Sequence, residues 1–531
     1  MPMKFPWMFR CRRRLECGGA AALALAGAVA ACGPEFPNSY YAMPEAELLA
    51  APEGFFAAEI ARLEIAPPAM RAMRLPPDGV RATTIEIDVT DVRRELEERG
   101  VAPSRAQQIA WNYEAARQLV EKIATARERA ENGKPDGIAE AAMDAMRTMD
   151  ELLAGVPAEF AHYLRGAAAW QAGDLASARR EWTAVLALPA DDRRRRSTWA
   201  AFMMGRAWLK EAGTTGWPAS VSVRAAASRA FQQTRQFALA GLADPLGLAT
   251  SSLGWEGRAA LDDGDYPTAV ALYLEQHAAG DPTALDSLRI TAARMMAQPA
   301  GEIARFASDA PSRRVLTAYL VSRAGGIRGN EGAARQVMER AGEWAAALEK
   351  AGVREAREAD RMAWVAYEAG QFALAAQWVR LAPRASTEAN WIRAKLALRA
   401  GELASGEKFL RAALDSGSAA ETHRVRIAAE LSRVCLARDD YGAALAACLA
   451  GGHWADAAFV AEHVMTTAEL VNFVELRPPV ERGPATRWAD DPWPRDLERS
   501  LRELLARRLA REGCLFYFIL ALVNTGHPVC L

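Results

Sequence analysis

Apolar residues recur every three to four positions along most of this chain, the period of a helix with one buried face. Strict alternation, the mark of a half-buried strand, is nearly absent. Only TTIEIDV, residues 83–89, alternates in that way. The residues between the apolar positions are mostly Ala, Arg and Glu, which favour helices. The pattern predicts an all-α chain. A helix is expected from Ser104, where Ser104 and Gln107 have capping-box spacing, to the Asn, Gly and Pro cluster ENGKPDG. Ahead of it, residues 32–103 hold many prolines and read as a tether and preamble with short helices.

One stretch says how the helices are paired. In YLRGAAAWQAGDLASARREWTAVLALP, residues 163–189, a small residue (Gly166) sits where two helices would cross closely. Gly173 and Asp174 make a tight turn, Ala178 packs under the first helix, and Trp182 fills the gap. The layout returns with Gly257, Gly264, Ala269 and Tyr273, then with Gly370 and Ala375, then with a turn at Gly401. It returns again with Asp439, Asp440 and Ala444. From Gly370 to Gly401 is 31 residues and from there to Asp439 is 38, which bracket a period of about 34. Further helices must lie between the first two units, among them WAAFMMGRAWLKEAG and SRAFQQTRQFALAGL.

The residues quoted resemble a degenerate tetratricopeptide repeat over roughly residues 158–474. That resemblance implies an α-solenoid of stacked antiparallel helix pairs, assigned to residues 104–478, and a surface that binds proteins or peptides. No catalysis of its own is expected. Residues 479–513 are expected to form a loop and the first helix of one more repeat. Trp454–Glu475 and the motif CGPEFPN look similar to uncharacterised bacterial lipoproteins of this repeat type.

The first 31 residues have a different pattern. Lys4, Arg10, Arg12, Arg13 and Arg14 precede an uncharged run from Gly18 to Ala31. Fourteen residues are too few to span a bilayer, which needs about 20. A basic segment, a short apolar core and small residues at the end make an export signal. Val29-Ala30-Ala31-Cys32 resembles a lipobox. In bacterial lipoproteins that cysteine becomes the acylated N-terminus, carrying palmitate-type chains. The competing reading is an ordinary signal peptide with a chance cysteine. By resemblance to the sorting rule of enteric bacteria, Gly33 after the cysteine favours the periplasmic side of the outer membrane.

Removing residues 1–31 takes five of the 65 Lys and Arg and one of the 66 Asp and Glu, leaving 60 against 65 and a formal net charge of −5. The charges are interspersed, so no nucleic-acid partner is expected. The one dense basic cluster, Arg193–Arg196, reads as a solvated loop. Acidic residues with arginine neighbours, as in REAREADR, read as surface pairs at helical spacing.

Seven cysteines become five after cleavage: Cys32, Cys435, Cys448, Cys514 and Cys530. Cys435 and Cys448 should face each other between the helices of one repeat. Two readings are open: a disulfide stapling that hairpin, or two buried thiols. No phosphate loop, H-E-x-x-H, C-x-x-C or G-x-S-x-G occurs, so no catalytic, cofactor-binding or metal residue is assigned. The tryptophans at helix-pair positions read as core, whereas Trp488 and Trp493 lie in a proline-bearing loop. The tail, residues 514–531, carries no Asp, Glu, Lys or Arg. It is an atypical end for a repeat array: either an apolar plug, or the mark of a frameshift near Gly513 beyond which the natural protein continues. In the second case the chain could be the superhelical part of a peptidoglycan-acting enzyme. A solute- or glycan-binding lipoprotein is a further alternative.

Overall fold

The computed structural model describes residues 40–41, 49, 54–68, 80–131, 138–213, 219–324, 331–354, 356–416, 421–476 and 496–511. Every regular element among them is helical. The chain divides into two compact units: residues 53–382, and residues 1–52 together with 383–531.

The larger unit starts with a short helix, α1 (Phe56–Ala61), and a long one, α2 (Val80–Glu98). TTIEIDV lies inside α2, so the strand-like reading is corrected. Ile85, Val89, Val92 and Leu96 pack into one core together, and their spacing of three and four is helical. The alternation was local and short; this longer period prevails. α3 (Pro103–Glu131) begins one residue before Ser104. Proline at the first helical position opens it, since its missing N–H would have been unpaired there anyway. The helical array therefore includes α2 and begins before residue 104. α4 (Ile138–Leu152), α5 (Ala158–Ala172) and α6 (Leu175–Ala187) follow. Tyr113, Val120, Phe160 and Leu164 share a core with α2.

Pairs then stack in chain order: α7 (Ser197–Ala212) on α8 (Ala219–Leu239), and α9 (Leu248–Asp262) on α10 (Tyr266–Ala278). α11 (Thr283–Met296), α12 (Ala300–Phe306), α13 (Ala310–Ala324) and α14 (Glu331–Lys350) lead to the pair α15 (Ala359–Glu368) and α16 (Phe372–Leu381). The second unit holds the pair α17 (Thr387–Arg399) and α18 (Leu403–Asp415), and the pair α19 (Glu421–Leu436) and α20 (Tyr441–Ala450). α21 (Trp454–Phe459) runs into one π turn, Val460–Val464, before α22 (Thr467–Leu476) and α23 (Leu497–Arg511).

One turn recurs along the array. At the end of α5, Gly173 takes φ 86°, its N–H bonds to Trp170 O at 3.1 Å, and the N–H of Asp174 reaches back to Ala169 O at 2.9 Å. These two bonds satisfy carbonyls that the helix end would leave open, and they reverse the chain. Asp174 then caps α6 by accepting from the N–H of Ser177 at 2.9 Å. The same bonds close α9 at Gly264, α15 at Gly370, α17 at Gly401 and α20 at Gly452. At the end of α19 the position is Asp439, at φ 58°, a conformation that costs a side-chain-bearing residue more than glycine.

Candidate functional site

At the crossings of the helix pairs, small residues lie against large ones. A Cβ on Gly166 would collide with the indole of Trp182. Ala178 and Trp182 are fully buried, and the Trp182 Nε1–H donates to Tyr163 O at 3.3 Å. A Cβ on Gly257 would lie 2.8 Å from the Tyr273 ring, with Ala269 buried beside it. Ala375 and Ala444 have no exposed surface. Sequence reasoning missed two crossings of this kind. Gly205 on α7 makes room for Phe231 on α8, where a Cβ would come within 2.5 Å of the ring. Gly406 on α18 makes room for Leu398 on α17, with the small residue on the opposite helix of the pair.

The solvated-loop reading of Arg193–Arg196 holds for the exposed Arg194 and is corrected for Arg195 and Arg196. Arg196 is completely buried. Its Nη2 donates to Asp88 Oδ1 at 2.6 Å and its Nη1 to Asp91 Oδ2 at 2.9 Å, both carboxylates coming from α2. The guanidinium is 4.4 Å from the ring centroids of both Phe160 and Trp199. Tyr113 donates to Asp88 at 2.8 Å, and Arg117 approaches the same carboxylate at 3.3 Å. Glu159 accepts from the N–H groups of Arg195 and Arg196 at 3.0 and 2.8 Å, at the start of α7. Burial pushes the Glu159 carboxyl up to about 7, against the opposing pull of Arg196 and those two donors. Arg195 pairs with Glu95 at 2.9 Å and Glu98 at 2.6 Å, again on α2.

Two other cations are handled alike. Arg361, in the segment read as surface pairs, is buried at 5% exposure. It lies 4.7 Å from the Trp364 ring centroid and donates to Glu59 of α1 at 2.7 Å. Lys395 has no exposed surface, lies near the Trp391 ring and donates to Glu430 at 2.7 Å. Trp391 Nε1 donates to the other oxygen of Glu430 at 2.7 Å. A cation one helical turn from a core tryptophan lies on the tryptophan's face. That spacing, R-x-x-W at 196–199 and 361–364, was the available signal.

Cys435 and Cys448 are both buried free thiols, so the disulfide reading is corrected. The Cys448 sulfur points elsewhere: it lies 3.0 Å from the hydroxyl of Ser432 and 3.0 Å from that of Tyr41. Ser432 donates to Ala444 O at 2.9 Å, leaving its oxygen to accept from the Tyr41 hydroxyl, with which it is in contact. Burial pushes the Cys448 thiol up to about 12, so it stays protonated and weakly nucleophilic. Next to Tyr41, the N–H of Tyr40 donates to Asp456 Oδ2 at 2.8 Å, and its ring stacks edge-on to His453 at 4.6 Å. His453 lies 2.8 Å from Val425 O through Nε2. A carbonyl only accepts, so Nε2 carries the proton; burial lowers the ring's pKa and keeps it neutral.

Parts of the tether and preamble are therefore packed: Tyr40 and Tyr41 within the second unit, Glu59 of α1 and the carboxylates of α2 within the first. Apolar and acidic side chains between the prolines supply these contacts, which proline content alone does not reveal.

Beside α1, a charged cleft of about 220 Å³ is lined by Glu59, Arg62, Arg314, Glu358, Asp360 and Arg361. Its cations and carboxylates largely pair with one another, as in Arg314 with Glu358 at 2.9 Å. Among the described residues no group of three or more His, Cys, Asp or Glu could hold a metal ion, and no helix is long and apolar enough to cross a membrane. Cys32, Trp488, Trp493 and the tail 514–531 lie outside the described residues.

No family model and no curated protein matches the chain. Among solved structures it is similar to a circular tandem repeat protein with novel repeat topology and enhanced subunit contact surfaces, at 14% identity, over 84% of this chain and 99% of that one. The TM-score is 0.21, so the fold assignment rests on the helix pairs and turns themselves. They define an all-α helical-repeat protein of the solenoid class, built from stacked antiparallel pairs.

Proposed function

We propose that this protein is a lipid-anchored scaffold of a bacterial cell envelope, acylated at Cys32, that binds other envelope proteins or peptides through a degenerate tetratricopeptide-like surface. It performs no catalysis of its own. It faces the periplasm from the outer membrane. The observation that carries the binding role is the recurrence of one turn and one small-on-aromatic crossing, at Gly166 with Trp182, Gly205 with Phe231 and Gly257 with Tyr273. Arrays of this kind present extended surfaces to peptides and proteins, with affinity spread over many side chains. The lipobox-like Val29–Cys32 supports the anchor. Each buried methylene of an acyl chain contributes about 0.8 kcal/mol to membrane binding, and two chains hold a protein stably.

The test is intact mass and membrane partition of wild type against Cys32→Ala. The expected result is a mature chain starting at Cys32 with added acyl mass, recovered with membranes, and loss of both in the variant. An unmodified soluble form in both cases would sink the anchor.

A further inference from the structure

Tyr40 stands eight residues after Cys32, and it is bound into the second unit by contacts with residues some 400 positions later. The Tyr40 N–H is fixed on Asp456 at 2.8 Å and its ring on His453. The Tyr41 hydroxyl enters the crossing of α19 and α20, meeting Ser432 and Cys448. Its ring lies 6.2 Å from that of Phe459, at the end of α21. These are bonds to buried groups: Ser432 and Cys448 are 0% and 1% exposed, His453 1% and Asp456 2%. Two consecutive tyrosines thus hold the chain at a defined place on α19–α21.

We propose that this docking sets which part of the protein lies against the membrane: the part of the second unit formed by α19, α20 and α21 is held next to the lipid surface. The proposal rests on acylation of Cys32. Eight residues reach at most about 28 Å even when fully extended. An acyl chain on Cys32 therefore places Tyr40, and the helices that grip it, within that distance of the headgroups. The partner of this face is a lipid surface, reached through a covalent anchor and a short leash. Release of both tyrosines would free the leash and with it the orientation.

The experiment uses the full-length lipidated protein in vesicles of phosphatidylethanolamine and phosphatidylglycerol that contain a quencher lipid. The probe is a dye on Ala455→Cys, an exposed position of α21 beside Asp456, in a chain with Cys514→Ser and Cys530→Ser. Cys435 and Cys448 are buried and escape labelling. Strong quenching is expected in the otherwise wild-type protein. It should fall at least about two-fold in the Tyr40→Ala/Tyr41→Ala variant, whose leash is no longer short, with membrane partition unchanged. Equal quenching in the two, or none in either, with the protein still bound to vesicles, would overturn the proposal. Loss of acyl mass and of vesicle binding would overturn the lipid reading, and the proposal with it. Hydrogen exchange on the same samples keeps the two failures apart. Docking by the tyrosines requires faster exchange in residues 421–450 of the double variant, whether or not the chain is acylated.

Discussion

Gly166 shows how much a single hydrogen atom can decide. Its position faces the Trp182 indole so closely that no Cβ fits, and Trp182 is itself fully buried between α5 and α6. Gly166→Ala should lower stability by about 1–3 kcal/mol through overpacking, although alanine is the better helix former. Denaturant unfolding measures this, and an unchanged or raised midpoint would refute it. Glu159 is legible only as a buried carboxylate at a helix start. Its folded pKa of about 7 lies above the unfolded value of 4.5. The folded state then holds more protons between those values, so its contribution to stability is full below about pH 4.5 and is lost as pH rises through 7. Glu159→Gln keeps an acceptor for the two N–H groups and removes the titration. The variant should gain roughly 2–3 kcal/mol relative to wild type between pH 5 and 8. A constant difference across that range would count against this account.

At the scale of elements, the recurring turn explains why the helix pairs were visible in the sequence. Glycine at φ 86°, two back-bonds and an aspartate cap are all encoded within about six residues, and these short signals do not depend on distant contacts. α2 was harder to recognise. Its short alternating stretch imitates a strand, and its helical period emerges only when Val92 and Leu96 are counted with Ile85 and Val89. α2 is fastened by Arg196 and Arg195 of a loop a hundred residues later. Removing the cation strands Asp88 without its closest counter-charge in a dry site. Arg196→Leu should therefore cost about 3–5 kcal/mol. A loss below about 1 kcal/mol in thermal or denaturant unfolding would show that Arg117 alone suffices to hold Asp88.

At the scale of the molecule, the chain is a helical-repeat array in two compact units, and its proposed work is binding. Capture from envelope extracts with the intact protein should recover a defined protein or peptide above background. Because affinity is spread along a surface, no single exposed substitution should abolish the capture. Recovery of nothing above background would leave the scaffold role without support.

The sequence by itself determined the class of the fold: all helical and paired, with small residues set opposite aromatic ones at crossings such as Gly166 with Trp182 and Gly257 with Tyr273. It could do so because periodicity, capping and left-handed turns are local properties of the chain. Only the tertiary structure decided which charges are buried. Arg196, Arg361 and Lys395 look like surface residues until the carboxylates of Asp88, Glu59 and Glu430 are brought to them from elsewhere in the chain. It also decided the partners of Cys448 and the docking of Tyr40 and Tyr41. These contacts join residues separated by 16 to 416 positions, and a single sequence carries no periodic trace of such pairs.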